Sequence, residues 1–157
     1  ARTGSNGGGT ITLTGHDGSA AGAISLAGGI STVNDSTSAI TIRGTTDLQL
    51  PGIIASKGSL VLGNDTVTIG LITGNISQSS STALDIKTLK VGTATNAVGG
   101  SVVLANSTNK IETLAELYSG AHQFTGPATD IPYDLDIYDS TGGLSLTGAV
   151  VSGQGIR

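Results

Sequence analysis

Short stretches in which every second residue is apolar recur along the whole chain. A glycine often comes just before the alternation, as in GGTITL, GAISL, GSLVL, GSVVL and GGLSL. Successive side chains of a β-strand point to opposite faces, so a period of two places one set of residues inside and the other outside. The pattern therefore predicts an all-β protein. The residues predicted to form its core are Ile11, Leu13, Ile24, Leu26, Leu60, Leu62, Val102, Leu104, Ile111, Leu144 and Leu146.

The way the predicted strands are connected favours a coil over a meander. Gly, Asn, Asp and Ser separate the strands, and dipeptides typical of tight hairpins, such as Asp17-Gly18, are scarce. The repeats predict a right-handed parallel β-helix, or β-solenoid, covering residues 1–157 as one segment. With roughly 20 residues per coil, about eight rungs are expected. An immunoglobulin-like sandwich is the alternative, but aromatic residues make up only 3% of the chain and such sandwiches are built around an aromatic core.

The stretch GGSVVLANSTNKIETLAEL, from Gly99 to Leu117, contains two conflicting signals. Val102 and Leu104 alternate as in a strand, whereas Ile111, Leu114 and Leu117 are spaced as on one face of a helix. The helical pattern is too short to specify an isolated helix, and the surrounding repeats favour a second strand. Asn106 and Asn109 then lie at the corner between two strands. Asparagine suits such a corner because it tolerates a left-handed backbone and can stack in ladders between coils.

Composition narrows the range of functions. Charged residues make up 11% of the chain and the net charge is −4, whereas an ordinary domain has about 25% charged residues. The seven basic residues are scattered from Arg2 to Arg157, so no cationic surface for nucleic acid is expected. No apolar run approaches the roughly 20 residues of a membrane span. The absence of cysteine excludes a disulfide framework.

Carboxylates concentrated near residue 135 are the main chemical candidates. Asp134, Asp136 and Asp139 lie around a predicted strand, and clustered carboxylate oxygens can bind Ca²⁺. Their spacing does not match the regular ligand spacing of calcium loops, so no metal or other cofactor is predicted. The two histidines, His16 and His122, have no sequence neighbour that suggests a catalytic triad. The chain is therefore expected not to be an enzyme.

Three longer phrases carry a resemblance to a known family. They are GSLVLGNDTVTIG, ITGNISQSSSTALDIKTLKVGTATNAVGGSVVLANSTNKIETL and TGGLSLTGAVVSGQGI. They resemble the shaft repeats of filamentous-haemagglutinin-type adhesins, the large exoproteins of two-partner secretion in Gram-negative bacteria. The resemblance implies a right-handed parallel β-helix that is exported through an outer-membrane porin and displayed as a fibre. The segment PYDLDIYDS, which ends at Ser140, departs from the family pattern by its aromatic and acidic residues.

These observations lead to one functional hypothesis with two alternatives. The chain is expected to be a non-enzymatic shaft segment of a secreted or surface-displayed adhesin. Its partners would be a host-cell or matrix receptor, glycan or protein, and the secretion porin. One alternative is a filament subunit that stacks end to end with its own copies. The other is a β-helical protein that binds or cleaves polysaccharide, using a groove beside Tyr133, Asp134, Asp136 and Tyr138.

Overall fold

A computed structural model describes residues 9–15, 22–26, 28–50, 54–63, 71–79, 81, 83–120, 135–140 and 143–152. Within these ranges the chain is all-β and contains no helix, as predicted. No helix that is long and apolar enough to cross a membrane occurs in this part of the chain. The strands are β1 (Ile11–Thr14), β2 (Gly22–Ser25), β3 (Ile30–Thr32), β4 (Ile40–Arg43), β5 (Thr45–Leu50), β6 (Ile54–Leu62), β7 (Ile76–Gln78), β8 (Leu84–Val91), β9 (Val102–Leu104), β10 (Lys110–Ser119), β11 (Leu135–Ile137), β12 (Ser145–Leu146) and β13 (Val150–Ser152).

The strands form two sheets in which every described pair is parallel. The larger sheet has the order β1-β4-β6-β8-β10-β12, with β3 paired to β6 and β13 paired to β10. The smaller sheet has the order β11-β9-β7-β5-β2. The chain passes between the two sheets and returns to the neighbouring position, with β3 and β4, and also β12 and β13, following each other within the larger sheet. The strands therefore stack as a β-solenoid. The antiparallel pairing of an immunoglobulin-like sandwich is not found among the described strands.

The number of rungs differs from the expectation. The described strands support about three turns, which are completed between β4 and β10, and the predicted count of eight is not supported. The physical reason is the length of a coil. Register partners in the larger sheet are 20 residues apart from Ile40 to Leu60, but 29 apart from Leu60 to Leu89 and 25 apart from Leu89 to Leu114. Two of these three turns therefore take more than the roughly 20 residues assumed for each coil.

The core consists of aliphatic side chains stacked in register from coil to coil. One column contains only leucine and isoleucine: Ile11, Ile40, Leu60, Leu89, Leu114 and Leu146. A second column in the same sheet contains Leu13, Ile42, Leu62, Val91, Leu117 and Val150. Stacked aliphatic chains fill a narrow interior without aromatic bulk, because neighbouring strands are only about 4.8 Å apart.

The predicted core residues occupy three kinds of environment. Those buried in the central core are Ile11, Leu60, Leu62, Val102, Leu104 and Ile111. Those partly buried and packed against it are Leu13, Ile24, Leu26 and Leu144. Leu146, which was expected inside, is 62% exposed. Leu146 continues the first column beyond Leu114, but no described strand pairs with the other side of β12, so its side chain remains open to solvent.

The stretch from Gly99 to Leu117 is strand, turn and strand. Val102 and Leu104 are buried in β9, and the region that could have been helical is β10. Ile111, Leu114 and Leu117 all point into the core, although their spacing is helical. A register shift between Leu114 and Glu116 accounts for Leu117, which it brings back to the buried face. Ile111 and Leu114 align with Ile86 and Leu89 of β8, which have the same spacing and are also buried. The prediction of a strand here is confirmed.

Glycine turns the chain at the end of each central strand of the larger sheet. β4, β6, β8 and β10 are followed directly by Gly44, Gly63, Gly92 and Gly120, whose φ angles are 62°, 65°, 62° and 84°. Only glycine adopts this left-handed region without steric cost. The N–H of Gly63 donates to the Ile42 carbonyl at 2.8 Å, and that of Gly92 donates to the Leu62 carbonyl at 2.8 Å. The corner is therefore bonded from coil to coil.

Substituting Gly92 by alanine should lower the free energy of unfolding by about 2–3 kcal/mol. The left-handed φ of 62° penalises any Cβ, and the new methyl group would lie 2.8 Å from the Tyr118 carbonyl oxygen. Urea denaturation followed by circular dichroism measures the change. Gly143→Ala is the matched control, because no atom lies within 4 Å of its added Cβ. Equal losses in the two variants would contradict the argument.

Candidate functional site

The most developed polar arrangement in the described structure is an amide pair between Gln78, which is half-buried, and Asn109, which is buried. Gln78 ends β7, and Asn109 directly precedes β10 with no exposed surface. Gln78 Nε2 donates to Asn109 Oδ1 at 2.7 Å, and Asn109 Nδ2 donates to Gln78 Oε1 at 2.9 Å. Asn109 also accepts from the Leu84 N–H and donates to the Leu104 carbonyl, both at 2.9 Å. One side chain thus joins β7, β8 and the end of β9.

The turn between β9 and β10 is shaped by the second predicted asparagine. Asn106 is 8% exposed, and its Oδ1 accepts from the Thr108 N–H at 2.8 Å and from the Thr108 hydroxyl at 2.6 Å. The Asn109 N–H donates to the Asn106 carbonyl at 3.1 Å. These bonds form a local turn that the asparagine side chain closes. Asn106 and Asn109 thus belong to a hydrogen-bonded turn between β9 and β10.

The expected left-handed backbone at these asparagines is not observed. Among the described residues only glycines have positive φ. The asparagines act through their side-chain amides, which replace missing backbone partners at the corner. Asn109 and Asn106 occupy one corner of one coil and do not stack on identical residues, so the predicted asparagine ladder is replaced there by the bridge to Gln78.

A different ladder runs along the start of the smaller sheet. Asp47 Oδ1 accepts from the Asn75 N–H at 2.7 Å, and Asn75 Oδ1 accepts from the Ser101 N–H at 2.9 Å. Asp47, Asn75 and Ser101 each come directly before an apolar residue. These apolar residues, Leu48, Ile76 and Val102, are register partners in the smaller sheet. Sequence reasoning missed this ladder. The signal is an Asp, Asn or Ser immediately before an alternating apolar phrase.

The three candidate metal ligands differ in their positions and contacts. Asp134 lies outside the described residues. Asp136 is half-buried in β11, in register with Val103 of β9. Asp139 Oδ1 accepts from the Ile111 N–H at 3.0 Å, so this carboxylate caps backbone at the start of β10. No group of three or more His, Cys, Asp or Glu side chains that could hold a metal occurs among the described residues.

Asp139 belongs to a short segment that closes the corner formed by Asn109. The N–H and the hydroxyl of Ser140 both donate to the Asn109 carbonyl at 2.7 Å. Together with the bond from Asp139 to Ile111, these contacts fasten residues 138–140 to the preceding coil. The acidic segment singled out in the sequence therefore has a structural role at this corner.

Replacing Asp139 by alanine is expected to destabilise the fold by about 1–2 kcal/mol, since the Ile111 N–H loses a charged acceptor. Asp139→Asn keeps a side-chain oxygen and should lose less than Asp139→Ala. Thermal denaturation with and without millimolar CaCl₂ separates this capping role from metal binding. A calcium-dependent rise of the melting temperature that Asp136→Ala abolishes would restore the metal hypothesis.

The remaining candidates give no catalytic arrangement within the described ranges. His16, His122 and Tyr133 lie outside them. One open cavity of about 280 Å³ lies beside the first coil, lined by Ile11, Leu13, Ser25, Leu26, Gly28, Gly29 and Ile30. Its lining carries a single hydroxyl and no titratable side chain. This cavity is an uncovered part of the apolar core and lacks the polar groups of an active site.

Comparison with protein-family models, with curated proteins and with solved structures gave no significant match.

Proposed function

We propose that this chain is a non-enzymatic shaft segment of a secreted or surface-displayed fibre. The observation that carries the proposal is the stacking of aliphatic columns in register through the coils between β4 and β10. In such a stack each coil is stabilised by its neighbours, so the segment resists local opening along its length. The resemblance of the sequence phrases to adhesin shafts supports surface display and an adhesive role for the complete fibre.

The polar features of the segment support the same function. The buried amide of Asn109, the ladder through Asp47 and Asn75, and the glycine corners satisfy backbone groups within the solenoid. A shaft needs such internal bonds because its corners would otherwise leave buried N–H and C=O groups unpaired. The adhesin interpretation adds a receptor and an outer-membrane porin as partners, and it places the protein outside the cell.

Single-molecule pulling combined with limited proteolysis tests the shaft function. A chain held between two engineered handles should unfold coil by coil at high force, and residues 84–120 should persist as a protected fragment. Unfolding at low force, with early cleavage inside β8 or β10, would contradict a mechanical role. The Leu89→Ala variant described below provides the weakened control.

A polysaccharide-binding role is the second candidate, because one aromatic side chain is presented beside a carboxylate. Tyr138 is 54% exposed, and Asp136 lies two residues earlier, where side chains of an extended chain share a face. An aromatic ring offers a large apolar surface to a sugar ring, and an ionised carboxylate accepts hydrogen bonds from hydroxyl groups. Titration with neutral and acidic glycans should then show saturable binding that Tyr138→Ala and Asp136→Ala both reduce. Binding unaffected by either variant would exclude this surface.

A further inference from the structure

Four charged side chains form a compact group on the outer surface of β8 and β10. Asp85 and Lys87 lie on β8, Lys110 and Glu112 lie on β10, and all four are exposed. Lys110 is the register partner of Asp85. Glu112 lies between two aligned positions, Ile111 with Ile86 and Thr113 with Thr88, which places it beside Lys87. We call these four residues the charge quartet.

The quartet alternates in sign in both directions. Across the two strands, Asp85 lies beside Lys110 and Lys87 lies beside Glu112. Along each strand, the sign of the charge changes from the first of these residues to the second. The strands are about 4.8 Å apart, and outward side chains along one strand are about 6.7 Å apart. Four charges in this arrangement form a two-by-two checkerboard.

A checkerboard of this kind is complementary to itself. Two copies can face each other across a two-fold axis that lies just outside this surface, parallel to the strands and midway between β8 and β10. This axis places β8 of one copy over β10 of the other. Asp85 of each copy then faces Lys110 of the other, and Lys87 faces Glu112. Every charge meets one of opposite sign, and each pair occurs twice, as an isologous contact requires.

We infer that the charge quartet is a docking surface for a second copy of this chain, so that two solenoids associate side by side. The quartet has two positive and two negative charges, so a uniformly charged partner such as nucleic acid or an acidic glycan gains no net attraction from it. An uncharged partner would leave four charges desolvated. The best partner carries the same alternation at the same spacing, and the chain itself has that surface.

The association is expected to be weak and dependent on salt. The quartet covers much less area than a standard stable interface, which places the contact among transient ones. Exposed charges are screened over about 10 Å at 0.1 M ionic strength. Self-association should therefore be present at about 20 mM NaCl and absent at about 500 mM NaCl.

Two charge-reversed variants test the inference by sedimentation velocity over a concentration series. The double variant Lys87→Glu/Lys110→Glu makes the quartet wholly acidic, and Asp85→Lys/Glu112→Lys makes it wholly basic. Each variant alone is expected to be monomeric at low salt, whereas an equimolar mixture should form a heterodimer. If the four charges only paired with each other within one molecule, mixing the two variants would not form a heterodimer. Heterodimer formation therefore distinguishes association between molecules from charge pairing within one molecule.

The controls make every outcome decisive. Gln49→Lys adds an exposed charge on β5 of the smaller sheet, away from the quartet, and should self-associate like the original chain. An original chain that stays monomeric at low salt, or a mixture that stays monomeric, overturns the inference. Circular dichroism checks that each variant is folded. Where a reversed variant is unfolded, Lys87→Gln and Glu112→Gln replace it, and each should weaken self-association about tenfold; unchanged association overturns the proposal.

Discussion

Replacing Asn109 by leucine is expected to lower the free energy of unfolding by about 3–5 kcal/mol. The side chain is completely buried and holds three partners: the Gln78 amide, the Leu84 N–H and the Leu104 carbonyl. Leucine fills a similar volume, so the loss comes from polar groups that remain buried without a partner. Denaturation in urea, followed by circular dichroism, measures the effect.

Two further variants identify the cause of that loss. Ser107→Ala changes an exposed residue of the same turn and should alter the free energy of unfolding by no more than about 0.5 kcal/mol. The double variant Gln78→Leu/Asn109→Leu removes both amides. Its loss should be smaller than the sum of the losses in Gln78→Leu and Asn109→Leu, because the two bonds between the amides are lost only once. A double variant as unstable as the sum of the single variants would argue against the bridge.

Truncating Leu89 to alanine should cost about 3–5 kcal/mol. Leu89 has no exposed surface and lies in the middle of the first aliphatic column, between Leu60 and Leu114. A cavity there removes contacts on both neighbouring coils, which cannot close in because their backbones are bonded in register. Denaturant titration of the variant should show an earlier midpoint.

Leu146 provides the matched control for Leu89. It is the same residue type in the same column, but it is 62% exposed. Leu146→Ala is therefore expected to cost less than about 1 kcal/mol, because little apolar surface is returned to water. If both truncations cost the same, the stability of the solenoid would not depend on position within the column. Such a result would contradict the nearest-neighbour account of its energetics.

The strand pattern is the part of the fold that could be read from local sequence. Alternation such as Ile40 and Ile42, or Val102 and Leu104, reflects a property of each strand alone, because side chains alternate wherever the backbone is extended. Parallel stacking was also predictable, since repeats without hairpin turns leave few other ways to pair the strands. Lys110–Ser119 is a strand, as the surrounding repeats predict, although the spacing of its apolar residues is helical.

The candidate site was less predictable, because its bonds join residues distant in the chain. Nothing near Asn109 in the sequence indicates that Gln78 will be its partner, and the bridge exists only once β7 and the start of β10 stack. Asp139 was noticed for its charge, but its bond to the Ile111 N–H depends on the return of the chain after β11. The acidic cluster suggested a ligand set, and the described structure places Asp139 at a backbone corner.

The amino-acid sequence by itself determined the class of structure: extended strands, glycine corners and a narrow aliphatic interior. These follow from side-chain alternation and backbone freedom, which act over a few residues. Only the tertiary structure decided the length of each coil, the register of the columns, the exposure of Leu146 and the pairing of Asp85 with Lys110. The reason is that register depends on how much chain the loops take up between strands, and loop length is not encoded in the strand pattern.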